Sequence, residues 1–108
     1  MFVGAPGAIA AGGSFTGLWR ATDPSDGSTL VLAVAPSGKV LIVDTYASAC
    51  GGGPAFAYGS STTTGSSLTA TVDVFCGTTP FVSGAQVTYS RVGTTLVGDG
   101  GEIYRRVG

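Results

Sequence analysis

The chain has 108 residues, enough for one domain with a modest core of its own. Charged residues make up 10% of it, against roughly 25% in ordinary globular domains, and the net charge of −1 comes without a basic cluster, which argues against nucleic acid and anionic membrane as partners. Histidine is absent, removing imidazole as general base or metal ligand, and no apolar run approaches the ~20 residues of a membrane helix.

Residues 1–13 are uncharged, rich in Gly and Ala, and lack a strand or helix pattern. Ala8-Ile9-Ala10-Ala11 fits a small-x-small cleavage site, so this stretch reads as the remnant of a signal peptide or as a flexible tail ahead of a single domain over 14–108. No helix signal follows. Short alternating apolar bursts, punctuated by Gly, Ser, Thr and Pro, predict eight strands. The first covers 15–22 and ends in the turn Asp23-Pro24-Ser25-Asp26-Gly27-Ser28; the second covers 29–35 and ends at Pro36-Ser37-Gly38. The third, 39–46, leads into a glycine loop around Cys50, and the fourth spans 55–60, with a polar turn over 61–67. The fifth, 68–76, puts Leu68, Ala70, Val72, Val74 and Cys76 on one face. A loop over 77–84 separates it from strands at 85–92, 94–97 and 102–107.

Connections this short favour antiparallel neighbours. An open eight-strand meander leaves two unpaired edges, and closing it removes them. The expected fold is therefore all-β, an antiparallel eight-stranded up-and-down barrel, with a two-sheet sandwich as the alternative. The two cysteines are too few for a zinc site without histidine and too far apart for C-x-x-C redox chemistry, which leaves a structural Cys50–Cys76 disulfide, or else two buried thiols. With a disulfide, the chain belongs in an oxidising compartment, secreted or at the cell surface. Strand alternation puts the turns at 23–28, 47–54, 77–84 and 98–101 on one rim, together with both cysteines. That rim, with Asp23, Asp26, Phe81 and Asp99, is the expected binding region, because sites favour longer loops on a rigid frame.

Gly17-Leu18-Trp19 on the first strand and an arginine near the end of the last resemble the signature of the lipocalins and other calycins. In those barrels the tryptophan of G-x-W sits inside at the closed end and a late arginine packs across it. Phe15, Gly17 and Trp19 share one face of the first strand, and Ile103 and Arg105 share one face of the last. The resemblance therefore assigns barrel closure to Gly17, Trp19 and Arg105. It also implies an apolar ligand in the cup. A barrel of eight short strands is, however, narrow enough to be filled by its own side chains. Leu30, Leu32, Val34, Leu68, Val72, Val74, Val87, Leu96 and Ile103 are the expected filling.

No catalytic constellation emerges. Asp23, Asp26 and Asp99 match no calcium-loop spacing, and turn chemistry accounts for the Asp-Pro-Ser-Asp-Gly-Ser run without an ion. Asp44 and Asp73 are the acids in mid-strand; Asp73 falls on a polar face, and Asp44 is inward or exposed according to which face of its strand is buried. Gly51-Gly52-Gly53 precedes Pro and a strand and lacks the Lys and Ser/Thr of a phosphate loop. The expectation is a non-enzymatic binding module with no metal or cofactor, or a self-associating structural subunit. Tyr46, Tyr58, Tyr89, Tyr104, Phe56, Phe75 and Phe81 exceed what the interior holds, so an outer aromatic patch suited to an apolar small molecule, a glycan or a second copy is expected.

Overall fold

A computed structural model describes residues 9–10 and 15–107. Its strands are β1 (Ile9–Ala10), β2 (Gly17–Thr22), β3 (Thr29–Val34), β4 (Lys39–Asp44), β5 (Ala55–Thr64), β6 (Ser67–Cys76), β7 (Thr79–Val92), β8 (Thr95–Val97) and β9 (Ile103–Arg106). From β2 to β9 each strand pairs antiparallel with the next, and β9 returns to β2, which closes an eight-stranded up-and-down barrel. β1 stands outside that ring, on β5 at Thr62 and Thr63. The rest of the segment read as a leader or tail lies outside the described residues.

The period of two fixes which side chains go inside. On β3, Leu30, Leu32 and Val34 are buried while Thr29, Val31 and Ala33 are only half-buried; on β6, Leu68, Ala70 and Val72 are buried. The largest fully buried side chains, Trp19, Leu32, Leu68 and Leu96, come from β2, β3, β6 and β8 and meet from opposite walls. They belong to one packed core. Val74 and Val87 pack on this core from its upper margin. Ile103 does not join them: it is 51% exposed, and Tyr104 takes the inward position at 3%.

Two strand boundaries differ from the expected ones. β5 runs to Thr64, so its connection to β6 is the tight turn Gly65-Ser66. β7 begins at Thr79, after the two-residue turn Gly77-Thr78, so 79–84 is strand and not loop. Its alternation is hidden by two register shifts against β6, with extra residues at Phe81 and at Ser83-Gly84. Asp73 stabilises the second irregularity: its Oδ1 accepts the Gly84 amide at 3.0 Å and the Ser83 hydroxyl at 3.1 Å.

The wall is uneven in height. β6 and β7 have 10 and 14 residues, whereas β8 and β9 have 3 and 4. β8 therefore reaches only Ser90, Arg91 and Val92 of β7, and among the described residues 79–86 meets no strand on that side. Among the described residues, closure thus leaves a stretch of β7 edge unpaired, contrary to expectation. That edge carries Pro80 and both bulges, features that disfavour strand addition. Where β8 has ended, the Asp99 carboxylate takes over and accepts the Thr88 amide at 3.1 Å.

A candidate binding mouth on the disulfide rim

Cys50 and Cys76 are disulfide-bonded, with Cα atoms 5.4 Å apart. Ser48–Cys50 forms a 3-10 turn, and Gly51 at φ 68° then turns the chain in the left-handed region. This folds Cys50 across β5 onto the end of β6, on the rim that the strand directions predicted.

The opposite end is closed by residues of β2 and β9. Gly17 opens β2 at φ 134°, a conformation L side chains rarely adopt, which accounts for the glycine of Gly17-Leu18-Trp19. The Trp19 indole N–H donates to the Phe15 carbonyl at 3.0 Å, and Phe15 is itself buried beneath it. The arginine across the ring is Arg106, whose guanidinium lies 4.2 Å from the ring centroid and donates to the Thr16 carbonyl. Arg105, assigned this place from the sequence, points the other way and is exposed. The reason is that Tyr104 is drawn inside, which sets the parity of β9. Arg106→Ala is accordingly expected to lower stability by about 1–2 kcal/mol through the lost cation–π contact and hydrogen bond. Arg105→Ala should stay within about 0.5 kcal/mol of the parent. Urea unfolding of both variants checks this, and equal midpoints would contradict it.

At the disulfide end the low β8–β9 wall leaves a recess of about 200 Å³ between the tops of the strands. Asp23, Asp44, Asp99 and Glu102 stand around it, with Leu30, Val87, Thr88, Gly100 and the tyrosines Tyr89 and Tyr104. Adjoining it is an apolar recess of about 180 Å³ lined by Ile42, Phe56, Ala57, Val72 and Val74, which shares Asp44, Val87 and Tyr89 with the first. Each acid is placed by a local device. Asp23 Oδ1 accepts the Ser25 hydroxyl at 2.7 Å and amide at 2.8 Å, and these bonds hold its carboxyl below its usual range. Asp44 faces inward with Val40 and Ile42, and its Oδ1 accepts the Tyr46 amide at 3.1 Å. Glu102 folds over its own turn, where a Cβ on either Gly98 or Gly100 would collide with its carboxylate.

Tyr89 and Tyr104 form the floor. Their rings meet edge to face with centroids 5.4 Å apart. Burial first, and then the surrounding negative charges, push both phenols well above the ordinary tyrosine value. The folded state thus holds these two protons more tightly than the unfolded chain. The resulting stability is complete below about pH 10, the unfolded value, and is lost as the pH rises through the folded values. Urea midpoints measured between about pH 9 and 11 should therefore fall more steeply for the parent than for a Tyr89→Phe/Tyr104→Phe double variant. Parallel curves would count against this account.

Of the residues expected on this rim, Asp23 and Asp99 line the mouth. Asp26 stays in its exposed turn, accepting the Ser28 amide at 2.8 Å. Phe81 lies on β7, 53% exposed, in an outer groove with Asp73, Phe75 and Pro80. Asp44, Glu102, Tyr89 and Tyr104 were not among the expected site residues; the inward parity of Val40, Ile42 and Asp44 was the one available signal. No family model, curated protein or solved structure matches the chain.

Proposed function

We propose that this chain is a non-catalytic binding module, exported to the cell surface or secreted, that takes its ligand in the mouth on the disulfide side. The observation that carries the reading is the recess itself: carboxylates and a buried tyrosine pair around a concavity, on a barrel whose middle is filled and whose rim is clamped. The disulfide suits an oxidising compartment. The Trp19–Arg106 stack resembles the closed end of calycin barrels, where the open end is the binding end. The absence of histidine from the sequence leaves the carboxylates without the usual partner for nucleophilic catalysis. An amide-resolved NMR titration of the labelled chain against a panel of neutral, cationic, anionic and glycan fragments tests the reading. Perturbations should cluster on Thr88, Tyr89, Asp99, Gly100 and Tyr104. A panel that moves only resonances elsewhere, or none, overturns it.

A second reading, self-association, is favoured by the exposed apolar residues Leu18, Tyr58, Phe81 and Val82 on the outer wall. Light scattering behind size-exclusion chromatography decides it: a monomer at every concentration removes this reading.

A further inference from the structure

We propose that Asp99 is a site of spontaneous covalent modification, cyclising onto the Gly100 nitrogen and reopening to isoaspartate, while Asp26, in the same Asp-Gly pairing, is protected by its turn. The residue that follows each aspartate decides whether it reacts. Pro24 brings no N–H to Asp23, and Thr45 and Val74 put branched side chains after Asp44 and Asp73. Gly27 and Gly100 have no Cβ and the widest backbone freedom, which leaves Asp26 and Asp99 as the reactive pairings. In the first step the glycine amide nitrogen attacks Cγ of the aspartic acid. A C–N bond forms, and the amide hydrogen leaves with the carboxyl hydroxyl as one water, giving a succinimide. Water then opens the ring. Addition at Cγ restores aspartate. Addition at the main-chain carbonyl breaks its bond to the glycine nitrogen and routes the backbone through Cγ, which is isoaspartate. Water is the sole co-reactant, and nothing is oxidised or reduced.

Both pairings are exposed, so water reaches either ring; what differs is the nucleophile. Gly27 closes its turn. Its amide donates to the Asp23 carbonyl at 2.8 Å, so the attacking nitrogen is already engaged, and the Asp26 carboxylate is held on the Ser28 amide at 2.8 Å. Gly100 stands inside its turn instead of at the end. The Gly101 amide donates to the Gly98 carbonyl at 3.0 Å, which makes Asp99 and Gly100 the two central residues. A bond from the fourth residue of a turn to the first makes no use of the amide between the central two. Among the described residues no acceptor meets the Gly100 amide.

The position of Asp99 gives the modification a consequence. Its carboxylate accepts the Thr88 amide at 3.1 Å where β8 has ended, and it lines the mouth. Isoaspartate lengthens the backbone of the turn by one carbon and moves the carboxylate to the former main-chain carbonyl. Thr88 then loses its acceptor, and the exposed length of β7 loses that seal.

The test is incubation of the folded chain at neutral pH in oxygen-18 water, beside a guanidinium-unfolded control run until both Asp-Gly pairings have converted measurably. Trypsin separates the two sites, Asp26 into the peptide 21–39 and Asp99 into 92–105. Chromatography with electron-transfer fragmentation then counts isoaspartate in each. In the unfolded control the two should convert at similar rates. In the folded chain Asp99 should convert about three- to tenfold faster than Asp26, the factor that one engaged backbone amide supplies. The product should carry a heavy oxygen from the ring opening. Hydrogen exchange at the Thr88 amide should quicken in the converted fraction, with Gly27 unchanged. Equal rates at the two sites in the folded chain overturn the proposal, as does an Asp99 that stays unconverted while the control reacts, or isoaspartate without the heavy oxygen. Unchanged exchange at Thr88 overturns the consequence for β7.

Discussion

Trp19→Ala is expected to cost about 3–5 kcal/mol, which would consume much of the roughly 5–15 kcal/mol by which a domain of this size is stable. Three losses coincide. The indole is fully buried between β3 and β9, opposite Leu32 and Arg106, so its removal leaves a cavity that a closed barrel relaxes into poorly. The Phe15 carbonyl loses its donor at 3.0 Å, and Arg106 loses the ring beneath its guanidinium. Trp19→Phe keeps an aromatic face and part of the volume, and should cost less than the alanine. Urea unfolding followed by far-ultraviolet circular dichroism reads both variants, since the only tryptophan has gone. A cost below about 1.5 kcal/mol for the alanine would mean that the centre of the barrel is not held as described. If the alanine variant does not fold, the ranking of Phe below the parent still tests the account.

The residues that make this core were legible where alternation is clean. Leu68, Ala70 and Val72 sit inside because apolar residues alternate with Ser67, Thr69 and Thr71 on β6, and on β3 the larger Leu30 and Leu32 sit inside with Val34 while Thr29, Val31 and Ala33 face out. The clamp was legible too, since strand direction alone brings Cys50 and Cys76 to one rim. The last strand was not. Ile103 is the more hydrophobic residue, and on hydrophobicity it takes the inner face. Tyr104 displaces it because the ring gains an edge-to-face partner in Tyr89, a contact between strands that no local pattern encodes. One parity error then carried the late arginine from 106 to 105. β7 was cut short for a different reason: bulges break the period of two, and the residues that mend them, Asp73 above all, act across the ladder.

The mouth follows the same division. Asp23 and Asp99 were found because rim turns can be sorted by counting strands. Glu102 and the tyrosines were missed because closure by two short strands brings them together, and strand length is the boundary that sequence patterns locate least well. The low wall has a structural consequence as well. It exposes a length of β7 that the fold guards with Pro80, with bulges and with the side chain of Asp99. Asp99 therefore seals the Thr88 amide and also lines the recess.

Removing the disulfide by a Cys50→Ser/Cys76→Ser double substitution is expected to lower stability by about 3.5 kcal/mol, the chain-entropy cost of opening a loop of this size. The bridged residues are 26 apart in sequence, and the loop they close contains the whole of β5. In the unfolded chain the bridge therefore restrains a segment that must otherwise find β4 and β6 unaided. In the folded chain much of the local order has other sources: the Ala47 amide donates to the Gly53 carbonyl at 2.9 Å, the Gly52 amide to the Ala47 carbonyl at 2.9 Å, and the Gly77 amide to the Pro54 carbonyl at 3.2 Å. The fold should consequently survive the substitution, with NMR changes confined to 45–54 and 75–79 and the resonances of Tyr89, Glu102 and Tyr104 in place. The urea midpoint should drop sharply. A change below about 1 kcal/mol would show that the bridge does not act through the unfolded chain. A loss near the expected size means that in a reducing compartment the domain would give up a large share of its margin, while in an oxidising one it keeps it. The same bond that frames this rim thus makes the stability of the domain depend on where the chain resides.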